Sequence, residues 1–389
     1  MATESWTTRS LRDWMRGFLQ QKGIESAPAC ADLLLSHVAG CERMHLYMEP
    51  DRPWTAEELA TLRALVARAA RHEPVQFLVG SWGFHAADFE VAPCTLIPRP
   101  STETLVDAAL EWISQQPPES VRSAIDLGTG TGCIALSILR ALRGRQRKGR
   151  VLARASQSRS SQQPEVAEGS DDRPFDPAVV QAIQIDGEAL RTDPSATHAV
   201  QIDDEALRTD STATHAVQID DEEPRTDPSV ARANALACDA LPTFVLTDLV
   251  PEAIELSKRN AQRHGLTDRC SFRVGDAWSA LERSDGPFDL VVSNPPYISD
   301  AEFSQLAPNV AEWEPRTALH GGASGLEVVQ RIVRGATAHM RPGGLLLVEI
   351  AASQERAALD LARSCGLLHA AVLRDSDDLP RVLRALTPA

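Results

Sequence analysis

"AIDLGTGTGCIAL", residues 124–136, decides the fold. Ser123–Leu127 is an apolar strand candidate, glycines follow at 128, 130 and 132, and an apolar helical stretch comes next. Glycines directly after a strand let the backbone pass close to a ligand without Cβ clashes. A plain tight turn is the competing reading. Cys133 stands where a dinucleotide fingerprint has glycine, and no Gly-Lys-Ser/Thr follows, so a pyrophosphate or triphosphate cradle is disfavoured.

Outward from this turn, further strand candidates at Thr243–Thr247, Phe288–Ser293 and Leu345–Ile350 alternate with helical stretches. Such alternation predicts an α/β protein with a parallel sheet covered on both faces. The second strand, "TFVLTD", ends on Asp248, an acidic residue placed to accept hydrogen bonds from a ribose. Asp248 lies 118 residues after Gly130, against a usual spacing of about 20. Removing an insertion at about 145–240 restores that spacing and puts the extra residues in the connection from the first helix to the second strand. That connection lies opposite the carboxyl ends of the strands, where open α/β sheets bind ligands.

The insertion carries a tandem repeat, "QIDxE...RTD", with Gln184, Gln201 and Gln218 spaced 17 residues apart and Arg191, Arg208 and Arg225 in the same register. The units lack a repeated apolar face and contain Pro194, Pro224 and Pro228, so disorder is expected rather than a solenoid. Residues 184–229 hold 3 Arg against 12 Asp or Glu, a net of −9 out of −15 for the whole chain. Neither part has the basic face of a nucleic-acid binder, and no direct nucleic-acid contact is expected.

Residues 7–72 read as helical. Leu11, Trp14, Phe18 and Leu19 make one stripe, Leu33–Val38 a second helix, and Leu59, Leu62, Leu65 and Val66 a third that opens on a Thr55/Glu58 capping box. Residues 75–97 alternate like a hairpin, with Gly80 and Gly83 near its turn and Trp82, Phe84 and Phe89 in its core. The apolar spacing at the start of the chain argues for a folded helix rather than a mitochondrial presequence.

With 389 residues and 43% hydrophobic content, two domains plus extra material are expected. No apolar run of about 18 residues suggests a membrane span. The 7 cysteines are scattered and never form CxxC, which argues against a disulfide framework or zinc and for a reducing, cytoplasmic setting. The 10 histidines have no metal-ligand spacing; His198 and His215 merely follow the repeat. No metal is expected.

Two further segments carry chemistry. "SFRVGDAWSAL" puts Asp276 after a short strand, where its carboxylate can accept from an exocyclic adenine amine while the Ala277 N–H donates to a ring nitrogen; a helix cap is the bland alternative. "SNPPYI", residues 293–298, ends an apolar strand on two prolines. These have fixed φ and no N–H, so the Asn294 side-chain oxygen and the Pro295 carbonyl can be held as two nearby acceptors for one NH2 group. Gripping both hydrogens orients the nitrogen lone pair toward an electrophile and stabilises the positive charge that grows there. Tyr297 can stack on the flat group. An activated sulfonium methyl donor then needs no general base or metal. A strand-terminating turn explains NPPY equally well on its own. Arg316 and Glu314 either close over the site or form a solvated loop ion pair.

The order DLGTGTG, Asp248, Asp276, NPPY resembles class I S-adenosylmethionine-dependent methyltransferases acting on planar amino groups, and more narrowly the release-factor glutamine methyltransferases of the HemK/PrmC type. "RMHLYMEPDRP" (43–53), "EPVQFLVGSWGF" (73–84), "LIPRPSTE" (96–103) and "EPRTALHGGASGL" (314–326) share in the resemblance. It implies a Rossmann-like sheet with a small N-terminal helical substrate-recognition domain (1–74), a linking β-hairpin (75–100) and a methyltransferase domain (101–389) interrupted by the acidic insertion. It implies methyl transfer from S-adenosylmethionine to the glutamine side-chain amide of the GGQ motif in class I peptide chain release factors. By that likeness Gly128, Thr129, Gly130, Thr131, Gly132 and Asp248 hold the donor, Asp276 and Ala277 flank its adenine, Asn294 reaches donor and glutamine alike, and Pro295, Pro296 and Tyr297 complete the glutamine site. A monomer is expected. The chain departs from the family at Ser101, where glutamate is usual, and at Trp278, the aromatic that usually follows the Asp276 position directly. A ribosomal-protein glutamine methyltransferase, a DNA or RNA amino-methyltransferase and a non-catalytic nucleoside-binding adaptor are the alternatives. Which release factor is preferred and what the repeats do are not legible.

Overall fold

The computed structural model describes residues 6–117, 119–160 and 241–389, with side chains left out at 147–160. The acidic repeats, and the disorder expected of them, lie outside the described residues.

The chain opens with helices α1 (Thr8–Gln21), α2 (Ala27–Ala39), α3 (Arg43–Met48) and α4 (Ala56–Ala69). Capping boxes start α1 at Thr7/Ser10 and α4 at Thr55/Glu58. Leu11, Met15 and Leu19 of α1 are buried against Leu34 and Leu35 of α2 and Leu62, Leu65 and Val66 of α4. The inward stripe therefore runs through Met15, and Trp14, expected in it, is 47% exposed and stacks on Phe18 at 5.3 Å. One residue of rotation, 100° around a helix, separates the two readings.

A short helix α5 (Val75–Val79) precedes strands β1 (Ser81–Phe84) and β2 (Ala87–Glu90). The hairpin is thus shorter than the 75–97 alternation predicts. Its turn is His85–Ala86, both at positive φ (47° and 56°), rather than a glycine; Gly80 instead ends α5. Two consecutive positive φ values give the turn a twist that matches the strands, and His85 is held by its N–H to Glu103 Oε1 (2.8 Å) and its ring to Asp107 (3.0 Å). Phe84 and Phe89 join the core, as expected of hairpin core residues.

Next come α6 (Glu103–Gln115), β3 (Ser123–Leu127), α7 (Cys133–Ser160), β4 (Thr243–Asp248), α8 (Pro251–Arg263), β5 (Cys270–Val274) and β6 (Phe288–Ser293). The two-residue strand β7 (Ile298–Ser299), β8 (His320–Gly322), α9 (Glu327–His339), β9 (Met340–Glu349), α10 (Glu355–Ser364), β10 (Leu368–Arg374) and β11 (Pro380–Leu386) complete it. The central sheet runs β10-β11-β9-β6-β3-β4-β5. β5, β4, β3, β6 and β9 are parallel; β11 and β10 are antiparallel additions beyond β9. This C-terminal pair adds two strands to the parallel core that the sequence pattern did not single out, and β9 begins at Met340, before the apolar run.

Successive residues of each central strand serve opposite layers. Ala124, Phe244, Leu246, Leu290, Val292, Leu345 and Leu347 face α6, α7 and α8. Ile125, Leu127, Val245, Val291, Leu346 and Val348 face α9 and α10. Both faces being covered explains why β6 is buried along its whole length. From β3 the chain steps outward through β4 and β5, then returns to the other side of β3 for β6. The strand order reverses there, and in open α/β sheets such a reversal opens a crevice at the carboxyl ends of the strands. Helix α7 starts at the glycine turn and β4 ends on Asp248, with residues 161–240 between them in the chain.

Candidate active site

At the carboxyl ends of β3–β6 lies an open cleft, in the position where open α/β sheets hold ligands. Gly128 and Gly130 form one wall at φ 71° and 55°, a left-handed backbone that a Cβ would strain. The Thr129 N–H donates to the Thr247 carbonyl at 2.8 Å, which docks the glycine turn on β4. Beneath the turn Asp126, fully buried, accepts from the Thr129 hydroxyl at 2.8 Å. Burial pushes its carboxyl up to about 7.

Asp248 ends β4 and lines the cleft. Its Oδ2 accepts from the Gly130 N–H and its Oδ1 from the Val250 N–H, each at 2.9 Å. The carboxylate is thereby pinned across the glycine turn, with a lone pair left on each oxygen. Burial raises its pKa while those two backbone donors hold it down. Leu249, 56% exposed directly after it, forms apolar wall with Val250, Val328 and Ile332.

Asp276 and Ala277 also line the cleft. Ala277 sits at φ 46°, an uncommon conformation for a residue with a Cβ. Asp276 Oδ2 is paired with Arg331 of α9, a residue sequence reasoning passed over because a helical arginine reads as solvated. Trp278 is absent from the cleft wall: its ring stacks on His339 at 4.5 Å and its Nε1 donates to the Ile332 carbonyl at 3.1 Å. The shifted aromatic therefore fastens the Asp276 turn to α9.

Asn294, Pro295 and Pro296 complete the wall. Asn294 Nδ2 donates to Thr102 Oγ1 at 3.1 Å. Tyr297 turns away from the cleft; its hydroxyl donates to Glu349 Oε1 at 3.2 Å and its carbonyl accepts from Gln354 Nε2 at 3.0 Å. Glu349 is fully buried at the end of β9. Burial raises its pKa, and the hydroxyls of Thr102 and Tyr297 pull it back. A carboxylate closing the apolar run "LLLVE" is the signal that could have found it. Behind the NPPY corner, β7 pairs with β8, and Gly325 comes so close that a Cβ there would stand 2.3 Å from the Tyr297 carbonyl.

The cleft thus brings together Gly128, Gly130, Asp248, Asp276, Ala277, Asn294, Pro295 and Pro296. Thr129, Thr131, Gly132 and Tyr297 are not part of its wall. Glu314 is 5% exposed and pairs with Arg99 rather than Arg316, while accepting from the Ile97 N–H at 3.2 Å. Arg316 lies over the Phe303 ring at 4.8 Å. Neither expectation for that pair, closure over the site or a solvated ion pair, describes this arrangement. Among the described residues no group of three or more His, Cys, Asp or Glu could hold a metal, and no helix is long and apolar enough to cross a membrane.

Comparison with known proteins adds two domain matches: a PrmC N-terminal domain at residues 10–80 and a methyltransferase domain at residues 233–372. A release factor glutamine methyltransferase of Geobacter sulfurreducens is 30% identical over 380 residues, 98% of this chain and 96% of that protein. One from Cereibacter sphaeroides is 30% identical over 371 residues, 95% of each chain. A third, from Chlorobaculum tepidum, is 27% identical over 385 residues, 98% of this chain and 97% of that protein.

Proposed function

Because the chain belongs to the release factor glutamine methyltransferases, we propose that it methylates the side-chain amide nitrogen of the GGQ glutamine in class I peptide chain release factors. S-adenosylmethionine is the methyl donor in this reading, and it supplies a sulfonium methyl already activated for attack. The fit rests on the cleft itself: a Cβ-free turn at Gly128 and Gly130, the pinned Asp248 carboxylate for ribose hydroxyls, and apolar walls at Leu249, Val250 and Ile332 beside Asp276 for adenine.

The observation that carries the reading is the place of Asn294 and Pro295 on the same cleft wall as the glycine turn and Asp248. Asn294 gives its N–H to Thr102, which leaves its Oδ1 as an acceptor beside the Pro295 carbonyl. Two acceptors on one NH2 hold the amide flat, turn its lone pair toward the methyl and favour the charge that forms on nitrogen. The amide is a weak nucleophile with a delocalised lone pair, so orientation and exclusion of water account for the acceleration. S-adenosylmethionine, when bound, would supply the methyl by cleavage of its methyl–sulfur bond, and the amide nitrogen would lose one proton as the C–N bond forms.

Residues 1–74 act as the substrate-recognition domain and 75–100 as its link to the methyltransferase domain. The reaction runs in the cytoplasm, on a monomer, without direct nucleic-acid contact; six free cysteines among the described residues support the reducing compartment. The test incubates purified protein with labelled S-adenosylmethionine and, separately, a release factor, ribosomal proteins and DNA. Mass spectrometry should place the label on the GGQ glutamine. Label confined to ribosomal protein or to DNA would overturn the substrate.

A further inference from the structure

A glycine inside a helix is unfavourable relative to alanine, so Gly335 in α9 calls for a reason. Its backbone is helical and not left-handed, and no conformation demands glycine there. Space does. A Cβ at Gly335 would collide with Nε1 and Cδ1 of the Trp278 indole. The rigid indole is held in that gap by three contacts. Its Nε1 donates to the carbonyls of Ile332 at 3.1 Å and Arg331 at 3.3 Å, and its ring stacks on His339 with an interplanar angle of 8°. The directions are fixed, since an indole N–H only donates and a carbonyl only accepts. His339 is oriented in turn by Gly335, whose carbonyl accepts from the ring Nδ1 at 2.9 Å.

The seat reaches the cleft through the two residues before it. Asp276 and Ala277 line the wall, whereas Trp278 and Gly335 do not. Ala277 has φ 46°, and a residue with a Cβ keeps such a conformation only where its surroundings over-determine it. On one side of it Asp276 pairs with Arg331; on the other Trp278 is locked to the same helix. The ion pair is 52% and 46% exposed and holds little by itself, so the indole is the stronger anchor. The same helix supplies Val328, Arg331 and Ile332 to the wall, and the clamp keeps these two parts of it in register. We infer that Trp278 and Gly335 are positioning residues for the methyl donor: the indole seated at Gly335 holds Asp276 and Ala277 on the wall, and through them sets the affinity for the adenine end of S-adenosylmethionine. Neither residue touches the donor. The inference rests on the reading of this cleft as the donor site.

Calorimetry on the full-length protein tests it with two ligands, S-adenosylhomocysteine and S-inosylhomocysteine. The 6-oxo purine of the second reverses the donor and the acceptor that Asp276 and Ala277 are placed to meet. Gly335→Ala should raise the Kd for S-adenosylhomocysteine about tenfold, the scale of one hydrogen bond to a charged group. For S-inosylhomocysteine it should stay within about twofold of wild type, because the contacts being loosened are not made. In methyl transfer the donor KM should rise with the Kd while kcat at saturating donor holds, the pattern of binding shared by ground and transition states. Trp278→Ala should do the same. The double variant should lose no more than about a further twofold, because the glycine matters only when the indole is there. Stability supplies a sign. Gly335→Ala should lower the urea midpoint of the wild type, where the Cβ overpacks against the ring, and raise that of Trp278→Ala, where alanine simply replaces a helical glycine. A wild-type Kd in Gly335→Ala, equal losses for the two ligands, or losses that multiply in the double variant would overturn the inference. A wild-type protein that binds neither ligand would refute the donor reading instead, and the sign of the midpoint change would still judge the packing.

Discussion

At the scale of single residues, the site works by holding polar atoms still. Asn294→Ala removes one of the two acceptors proposed for the substrate amide while leaving Gly128, Gly130 and Asp248 in place. Methyl transfer should slow by roughly 10²–10³, with donor affinity, read by calorimetry, largely kept; an unchanged rate would remove Asn294 from the mechanism. Asp126 gives a prediction about stability. Desolvation pushes its carboxyl up to about 7 against the opposing hydrogen bonds from Thr129 and the Ala135 N–H, well above the ordinary value of about 3.9. A raised carboxyl contributes stability that is present below its unfolded pKa and lost as pH rises through the folded one. Asp126→Asn removes that dependence. Its urea midpoint relative to wild type should therefore climb between about pH 4 and pH 8, and a flat difference would show that Asp126 is ionised throughout.

At the scale of elements, the corner after β6 owes its shape to what packs behind it. Gly325 has φ 78° and no room for a Cβ against the Tyr297 carbonyl. Gly325→Ala must push back the NPPY backbone and break the bond from Gln354, so kcat should fall at least about tenfold, on the scale by which small displacements of reacting groups act. Circular dichroism should show the fold retained; full activity would mean that the corner tolerates the shift. Helix α4 offers a control far from the chemistry. Thr55 accepts from the Glu58 N–H at 3.2 Å and Glu58 Oε2 accepts from the Thr55 N–H at 2.8 Å. Thr55→Ala should cost about 1 kcal/mol, seen as a lower urea midpoint of the protein with unchanged turnover.

For the whole molecule, the acidic repeats raise a question of charge and loop length. Residues 184–229 carry −9 of the net −15 and fall in the chain between α7 and β4. Loop length enters closure entropy only logarithmically, at about 0.6 kcal/mol per doubling. Deleting 184–229 should leave kcat/KM within about twofold and stability within about 1 kcal/mol. A folded but inactive deletion would show that the repeats take part in catalysis or in gripping the release factor.

The sequence alone determined the class of the sheet, its central strands and the motifs that end them, because hydrophobic period and the backbone demands of glycine and proline are local properties. The strand Phe288–Ser293 and the capping box at Thr55 are legible in this way, and so is the family. The tertiary structure decided what faces what. Met15 rather than Trp14 turns inward, Glu314 pairs with Arg99 rather than Arg316, Trp278 fastens to α9, and Arg331, Thr102 and Glu349 arrive at the site from distant segments. Such contacts depend on which strands become neighbours and how far each helix is rotated when it packs. No local pattern encodes either, since they are settled only when the two layers close on the sheet.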